Sequence, residues 1–244
     1  MHQMVEFGGS GRTILLLHGL MGRATTWWPV AQWLQRYGRV VGIDARAHGR
    51  NPNHKGRTED FVADAAAVLT EPSIVIGHSM GGLHAWALAA AHPELVSGIV
   101  VEDMAPDQRG KSVTVWKSYF NSWPVPFQSL AHVRSFFGTS GDYFIECFEE
   151  REDGYHLIAD LENLYPIAAE WGERDYWPLI ERVQCPMLAL EAENSAMPAG
   201  QMSDMPLRSP GGGKHVLVPG SDHVIHRSAP EFYRGAVEAF LSAI

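Results

Sequence analysis

The sequence predicts an α/β fold, in which a mostly parallel, doubly wound sheet carries an inserted helical cap. Three observations support this prediction. Short apolar runs alternate with longer helix-compatible stretches over much of the 244 residues, which is the pattern of repeated β-α units. The runs are nearly continuous in Ile, Val and Leu, as in strands that are buried on both faces. The alternation stops between residues 106 and 178, where the sequence shows no strand-like run.

The elements follow from these patterns. Strands are predicted at residues 12–18, 39–44, 73–77, 97–103, 186–192 and 214–219, and helices at residues 25–36, 59–69, 79–91 and 230–243. We therefore expect a core domain of residues 1–105 and 181–244, with residues 106–180 as the cap. The chain has 8 Trp, 7 Tyr and 10 Phe residues, and 15 of these aromatic residues lie in the interrupted stretch. We expect some of these rings to form the inner face of the cap and others to line a pocket.

Composition and charge exclude several classes of function. The net charge is −9, with 19 basic and 28 acidic residues and no basic stripe, so no nucleic-acid partner is expected. The longest apolar runs are far too short for a membrane helix, so no membrane partner is expected either. Cys147 and Cys185 are too few for a disulfide scaffold. The first residues lack the features of a signal peptide, which favours a cytoplasmic protein. No metal-ligand spacing and no dinucleotide-binding motif is present, so neither a metal nor a cofactor is expected.

The most specific motif is GHSMG at residues 77–81. It lies where an apolar run ends and a helix-compatible stretch begins, which is the setting of a nucleophile elbow. Ser79 would occupy a tight, strained turn that lifts its hydroxyl above the sheet edge. Side chains at Gly77 and Gly81 would collide with the packed strand and helix, so glycine is required there. The following helix would direct its N-terminus at the site, where its dipole favours negative charge.

Four motifs in the same order resemble those of the α/β-hydrolase superfamily, and the resemblance covers nearly the whole chain. Besides the elbow, LHGL at residues 17–20 resembles the family's His-Gly oxyanion loop. DARAHGR at residues 44–50 resembles the Asp-x-Arg-Gly-His-Gly loop, with Ala47 in place of the usual Gly. SDH at residues 221–223 resembles the loop that carries the catalytic histidine. Residues 106–180 lie where the family inserts its cap domain.

The candidate general base is His223. Ser79 is a poor nucleophile until a neighbouring base takes its proton, and imidazole can accept and return a proton near neutral pH. His223 follows the last predicted strand and a Pro-Gly turn, so it lies in a loop at the sheet edge. Other histidines compete for this role, either from the motif loops or from the same loop: His18, His48, His78 and His226.

The acid of the expected triad is ambiguous. The resemblance implies an aspartate after the strand at residues 186–192, but Ser195 stands at that place and cannot stabilise an imidazolium. Asp103 is the favoured substitute, because it ends the preceding strand at the edge where doubly wound proteins assemble their sites. Its alternative role is to cap the turn before a proline. Glu193, two residues from the usual place, is the alternative acid.

The oxyanion hole would use backbone N–H groups. Met80, the residue after the nucleophile, would supply one donor and Leu20 the second, with Met21 or Gly22 as alternatives to Leu20.

The sequence therefore predicts a cofactor-free serine hydrolase. Its expected substrate is a moderately apolar small molecule with an acyl group in a carboxylic ester or thioester, and the reaction would pass through an acyl-enzyme on Ser79. A serine nucleophile disfavours dehalogenase and epoxide-hydrolase chemistry, which use an aspartate in this family. Carbon–carbon bond hydrolysis, perhydrolysis and lyase chemistry on the same scaffold remain alternatives. A non-catalytic ligand receptor is a further alternative, because fold alone does not establish activity.

Overall fold

The computed structural model describes residues 4–111 and 113–244. Residues 1–3 and 112, which the expected core and cap ranges include, lie outside this part. The strands are β1 Met4–Gly8, β2 Thr13–Leu17, β3 Arg39–Ile43, β4 Ser73–His78, β5 Val96–Glu102, β6 Phe148–Arg151, β7 Gly154–Leu157, β8 Met187–Ala192 and β9 Gly213–Val218. The main sheet has the order β1-β3-β2-β4-β5-β8-β9. Among the strands of the described residues, only β1 pairs antiparallel within this sheet, so the predicted fold class is confirmed.

Helices flank the sheet and make up most of the segment between β5 and β8, which was expected to form the cap. They are α1 Trp28–Leu34, α2 Thr58–Ala66, α3 Met80–Ala91, α4 Val113–Asn121, α5 Leu130–Phe137, α6 Gly141–Phe144, α7 Leu161–Glu173, α8 Trp177–Ile180, α9 Gln201–Arg208, α10 Ile225–Ser228 and α11 Pro230–Leu241. Short 3-10 turns at Ala24–Trp27, Gly138–Ser140 and Ile145–Cys147 connect some of them. Among the described residues, no helix is both long and apolar enough to cross a bilayer.

Both faces of the sheet are covered, which explains the nearly continuous apolar strands. In β2, Leu15 and Leu17 belong to one core cluster, while Ile14 and Leu16 belong to the other. Successive side chains of a strand point to opposite faces, so each strand needs apolar residues at every position. Helix α3 is buried through its first 11 residues, because it packs against the sheet and also against α2 and α8. A helix in that place must be apolar all round.

The strand order places a crevice between β2 and β4. From β2 the chain moves outward to β3, and it then crosses back to form β4 on the other side of β2. The loops that follow β2 and β4 therefore diverge at the carboxyl edge, which is where open α/β sheets bind their ligands. The register pairs Leu17 with Gly77 and His78 with Glu102. These pairs align the ends of β2, β4 and β5 at one level.

The segment between β5 and β8 leaves the sheet and returns to the same place. Asp107 and Asp175 form an antiparallel bridge, and the Tyr176 N–H donates to the Pro106 carbonyl at 3.0 Å. Inside the segment, aromatic rings pack on one another. Phe137 stacks on Phe144 with their centroids 3.8 Å apart. The rings of Trp123 and Phe137 are nearly perpendicular, with their centroids 4.9 Å apart. Many of the rings thus form a core within the cap segment itself.

The structure differs from the sequence prediction in several elements. The antiparallel hairpin of β6 and β7 lies inside the segment that was expected to be helical. Strand β1 was not predicted, because it is a short edge strand followed by a glycine-rich turn. Helix α9 was also not predicted, since it is short and contains Pro206. Strand β9 is exposed or half-buried up to its last residue, since it is an edge strand and does not lie fully inside the sheet.

Candidate active site

Ser79 lies in a strained turn between β4 and α3. Its backbone has φ 51° and ψ −120°, a conformation that costs a non-glycine residue energy and persists only when the surroundings enforce it. A Cβ on Gly77 would lie 2.1 Å from the Gly81 carbonyl oxygen, and a Cβ on Gly81 would lie 2.0 Å from the Leu17 carbonyl oxygen. Both glycines are thus required by backbone contacts. The turn is also held by the Ser79 N–H, which donates to the Glu102 carbonyl at 2.8 Å.

His223 and Asp103 meet at the same edge of the sheet. The distance from His223 Nδ1 to Asp103 Oδ2 is 2.7 Å. The other carboxylate oxygen, Oδ1, accepts the Ala192 N–H at 3.0 Å. The Asp103 side chain is fully buried, whereas 40% of the His223 side chain is exposed. Such a pair fixes Nδ1 as the protonated nitrogen and leaves Nε2 free to accept a proton.

Asp103 reaches His223 because the chain turns sharply at the end of β5. Asp103 has φ 45°, which lies in the left-handed region that non-glycine residues rarely occupy. Its N–H donates to the Leu190 carbonyl of β8 at 2.8 Å. The His223 ring in turn lies 4.9 Å from the ring of His78, the residue before Ser79. His223 therefore contacts Asp103 directly and lies beside the residue that precedes Ser79 in the chain.

The alternative acid, Glu193, is placed elsewhere. It is exposed, and its Oε2 accepts the Gly220 N–H at 2.8 Å, so it holds the turn before the histidine loop. The Ser195 hydroxyl accepts the Met197 N–H at 3.0 Å in a local turn. Of the two carboxylates considered, only Asp103 therefore contacts the His223 ring.

Two of the alternative histidines shape loops. His18 Nε2 accepts the Ala45 N–H at 3.0 Å, and His18 Nδ1 donates to the Gly19 carbonyl at 2.8 Å. His48 Nδ1 donates to the Arg46 carbonyl at 2.6 Å. Burial lowers the pKa of both imidazoles, which keeps the rings neutral at neutral pH.

The predicted oxyanion loop lies against the elbow. The Gly22 N–H donates to the Gly19 carbonyl at 3.0 Å, and Met21 has φ 71°, as at the third position of a type II turn. A Cβ on Gly19 would lie 2.6 Å from His78 Nδ1 and 3.3 Å from the Ser79 Cβ. Leu20, whose amide is a predicted donor of the oxyanion hole, follows Gly19 directly in the chain. Met80 is the first residue of α3, so its N–H has no acceptor within the helix.

The loop after β3 is hydrogen-bonded to the segment that follows β2. Asp44 accepts the Ala24 N–H at 2.7 Å and the Arg50 N–H at 2.9 Å. A Cβ on Gly49 would lie 2.2 Å from the Asp44 carboxylate, so that glycine allows a close approach. Ala47 has φ 64°, which explains why glycine would be the less strained residue at this place.

His78 is a functional neighbour whose contacts the sequence did not reveal. Burial lowers its pKa to about 3, so the ring is neutral. Its Nε2–H donates to the His223 carbonyl at 2.9 Å. The residue before the nucleophile thus holds the backbone of the candidate base.

Two acidic residues near the site were missed by sequence reasoning. Glu102, which is fully buried, contacts His226 through its carboxylate at 2.9 Å. Asp222 accepts hydrogen bonds from Thr139 and Ser140 of the cap segment, and it precedes His223 in the chain. A glutamate at the end of an apolar strand was the one available signal, since a buried carboxylate needs a partner.

The sequence of this chain is similar to a family model and to several known hydrolases and esterases. A family model described as "Alpha/beta hydrolase family" matches residues 14–236. The 2-(acetamidomethylene)succinate hydrolase of Mesorhizobium japonicum is 24% identical over 96% of this chain and 90% of its own length. Esterase YbfF of Escherichia coli is 24% identical over 94% of this chain and 92% of its own length.

Solved structures also resemble this fold. The structure of E-2-(acetamidomethylene)succinate hydrolase superposes with a TM-score of 0.85 and 21% identity, over 99% of both chains. A marine microorganism esterase superposes with a TM-score of 0.77 and 25% identity, over 98% of both chains. The first of these likenesses concerns the fold alone.

Proposed function

The chain belongs to the alpha/beta hydrolase family, and from this premise we propose that it is a serine hydrolase that cleaves carboxylic esters or thioesters. In this proposal, Ser79 is the nucleophile, His223 the general base and Asp103 the acid that orients His223. The amides of Leu20 and Met80 form the oxyanion hole.

The 2.7 Å contact between His223 Nδ1 and Asp103 Oδ2 is the observation that carries the proposal. It joins a fully buried carboxylate to a partly exposed imidazole, at the edge where Ser79 occupies its strained turn. A buried carboxylate in this position selects one tautomer of the imidazole and stabilises the imidazolium that forms during the reaction. A structural ion pair would not need an adjacent strained serine.

The first half of the reaction transfers the acyl group to the enzyme. Ser79 Oγ attacks the substrate carbonyl carbon while His223 Nε2 takes the hydroxyl proton. The carbonyl oxygen becomes an oxyanion, which the Leu20 and Met80 amides stabilise by hydrogen bonds together with the dipole of α3. The tetrahedral intermediate collapses, the bond to the leaving oxygen or sulfur breaks, and His223 donates its proton to that atom.

The second half regenerates the enzyme. His223 Nε2 takes a proton from water, and the water oxygen attacks the acyl carbon of the Ser79 ester. The same oxyanion site stabilises the second tetrahedral intermediate. When the bond between the acyl carbon and Ser79 Oγ breaks, the proton returns to Ser79 and the carboxylic acid leaves.

The proposed substrate is a moderately apolar acyl compound, because apolar side chains of the segment between β5 and β8 belong to the same core cluster as Leu20 and Met80 of the proposed oxyanion hole. Amide hydrolysis is a second candidate, since the hydrolase of M. japonicum, which acts on 2-(acetamidomethylene)succinate, aligns over 96% of this chain. The same nucleophile, base and oxyanion site serve both reactions, which differ only in the leaving atom.

A substrate panel with one variant tests the proposal. The panel contains p-nitrophenyl acetate, butyrate and octanoate, an acyl thioester and 2-(acetamidomethylene)succinate. We expect turnover of esters by the wild type, covalent labelling by a fluorophosphonate probe, and loss of both in Ser79→Ala. Ser195→Ala is the matched control, because its hydroxyl makes only a local turn, and it should keep both activities.

Other outcomes would redirect the proposal. Turnover of the amide alone would favour the second candidate. If a folded wild type neither turns over the panel nor reacts with the probe, the result would favour a non-catalytic ligand receptor over a serine hydrolase. Ester turnover that survives Ser79→Ala would remove Ser79 from the mechanism.

A further inference from the structure

Glu102 at the end of β5 and Asp103 directly after it are consecutive acidic residues, and each binds a histidine of the loop and helix α10 that follow β9. Asp103 binds His223, and Glu102 binds His226. Successive residues of a strand point to opposite faces, but the left-handed backbone of Asp103, with φ 45°, turns the chain so that both carboxylates reach this loop. The proposed mechanism uses only the first of these pairs.

The Glu102–His226 pair is buried more completely than the proposed catalytic pair. The side chains of Glu102 and His226 are 0% and 1% exposed. The carboxylate accepts from the His226 N–H at 3.0 Å and from Nδ1 at 2.9 Å. Burial acts to raise the pKa of Glu102, but the hydrogen bonds that the carboxylate accepts from the His226 backbone and ring outweigh it, so the pKa is lowered. The acid is therefore ionised in the fold.

Aromatic rings enclose the imidazole of His226. Trp27 stacks on it with centroids 4.5 Å apart, and Tyr143 and Tyr233 meet it at 5.9 and 5.8 Å. His226 Nε2 is buried without a hydrogen-bond partner. The His226 ring is therefore shielded from solvent, as expected for a structural residue that fixes the position of the backbone around it.

Glu102 also holds the nucleophile. Its carbonyl accepts the Ser79 N–H at 2.8 Å, and it lies opposite His78 in the register of β4 and β5. The same residue therefore fixes the elbow through its backbone and the histidine loop through its side chain. His78 adds a further tie, because its Nε2–H donates to the His223 carbonyl at 2.9 Å.

We infer that Glu102 and His226 are positioning residues, a buried acid–histidine pair that sets the distance between the Ser79 hydroxyl and the His223 ring. This inference rests on the proposed function. His223 is held by Asp103 at its Nδ1 and by His78 at its carbonyl. Three residues further along the chain, His226 is held by Glu102. A displacement of about 1 Å between reacting groups can cost about a hundredfold in rate. Rigid support of this kind is what keeps such a site productive.

The test compares Glu102→Gln and His226→Gln with the matched control Glu191→Gln. Glu191 also pairs with a histidine, His215 at 2.6 Å, but this pair is half-buried and lies on β8 and β9. All variants are assayed with p-nitrophenyl butyrate at a temperature where circular dichroism shows each of them folded. Burst titration of the acylated enzyme gives the concentration of competent sites.

For the two pair variants, we expect kcat per competent site to fall about ten- to a hundredfold while KM stays nearly constant. The Glu191→Gln variant should keep both constants. If Glu102→Gln is too unstable to assay, His226→Gln carries the test, because it changes the other member of the pair and leaves Glu102 itself unaltered.

Three results separate the possible failures. A lowered melting temperature with unchanged kcat per competent site would mean that the pair only stabilises the fold, and this would overturn the inference. An equal loss of kcat in Glu191→Gln would overturn it as well. Activity that persists in Ser79→Ala, measured in the same assay, would instead overturn the proposed function.

Discussion

Replacing Asp103 by Asn would test the proposed triad at the point where the sequence left two acids open. The carboxylate has two distinct oxygens in the structure. Oδ1 accepts the Ala192 N–H at 3.0 Å, and Oδ2 lies 2.7 Å from His223 Nδ1. The side chain is fully buried, so no water molecule from bulk solvent easily replaces either contact.

The Ala192 amide decides how the new side chain is oriented. In the Asp103→Asn variant, the amide oxygen must accept from Ala192, since an NH2 group there would face another donor. The NH2 group then faces His223 Nδ1, which must become an acceptor. The remaining ring proton therefore moves to Nε2, and Nε2 can no longer accept the Ser79 proton.

The expected effect is a loss of about 10³- to 10⁴-fold in kcat/KM, the size seen when a triad imidazole is locked in the wrong tautomer. This corresponds to about 4–5.5 kcal/mol of transition-state stabilisation. The assay is steady-state hydrolysis of p-nitrophenyl butyrate, with thermal unfolding as the check on folding. Glu193→Gln is the matched control, and its activity should be unchanged, because the exposed Glu193 side chain accepts the Gly220 N–H and does not contact His223.

Two results would refute this reasoning. A folded Asp103→Asn variant that keeps more than about a tenth of the wild-type kcat/KM would show that tautomer control by Asp103 is not needed. A loss in Glu193→Gln as large as that in Asp103→Asn would show that the acid acts from the other loop.

Two further predictions concern the loop beside the elbow and the buried histidines. Gly19→Ala places a methyl group 2.6 Å from His78 Nδ1, so the oxyanion loop must shift and kcat should fall by about a hundredfold; Gly235→Ala, where a Cβ meets nothing within 4 Å, is the steady-state control, and equal activities would contradict the prediction. Burial lowers the pKa of His84 to about 3, so between about pH 6.5 and pH 3 the unfolded chain binds a proton at this imidazole and the folded chain does not. As the pH is lowered through this range, His84 should therefore reduce the free energy of unfolding by about 1.4 kcal/mol for each pH unit. Urea denaturation between about pH 6 and 5 measures this slope, and His84→Gln should flatten it; an unchanged slope would mean that His84 is protonated in the fold.

The fold class followed from local patterns in the sequence. Strands such as β2 and β4 could be predicted because burial on both faces requires an unbroken apolar run. The elements that escaped prediction lack that constraint. Strand β1 lies at the edge of the sheet, and the hairpin of β6 and β7 has mostly exposed or half-buried residues. In such places, pairing with a distant partner decides the structure, and the local pattern is weak.

The candidate site could be predicted in part for a similar reason. The elbow is a local feature, since Ser79 and the two glycines that its turn requires, Gly77 and Gly81, lie within five consecutive residues. His223 and the oxyanion loop were proposed from motifs of a few residues. The partners of these groups come from far along the chain, however, and Glu102 with His226 was not anticipated at all.

The sequence by itself therefore determined the class of fold, the identity of the strained serine and a short set of candidate partners, because close packing of backbone and apolar side chains is encoded over neighbouring residues. Only the tertiary structure decided that Asp103, and not Glu193, contacts His223, across a separation of 120 residues. The physical reason is that the contact depends on the register of β4, β5 and β8 and on the left-handed turn at Asp103. Neither is written in the residues next to the acid, since both arise from strands that meet only when the chain folds.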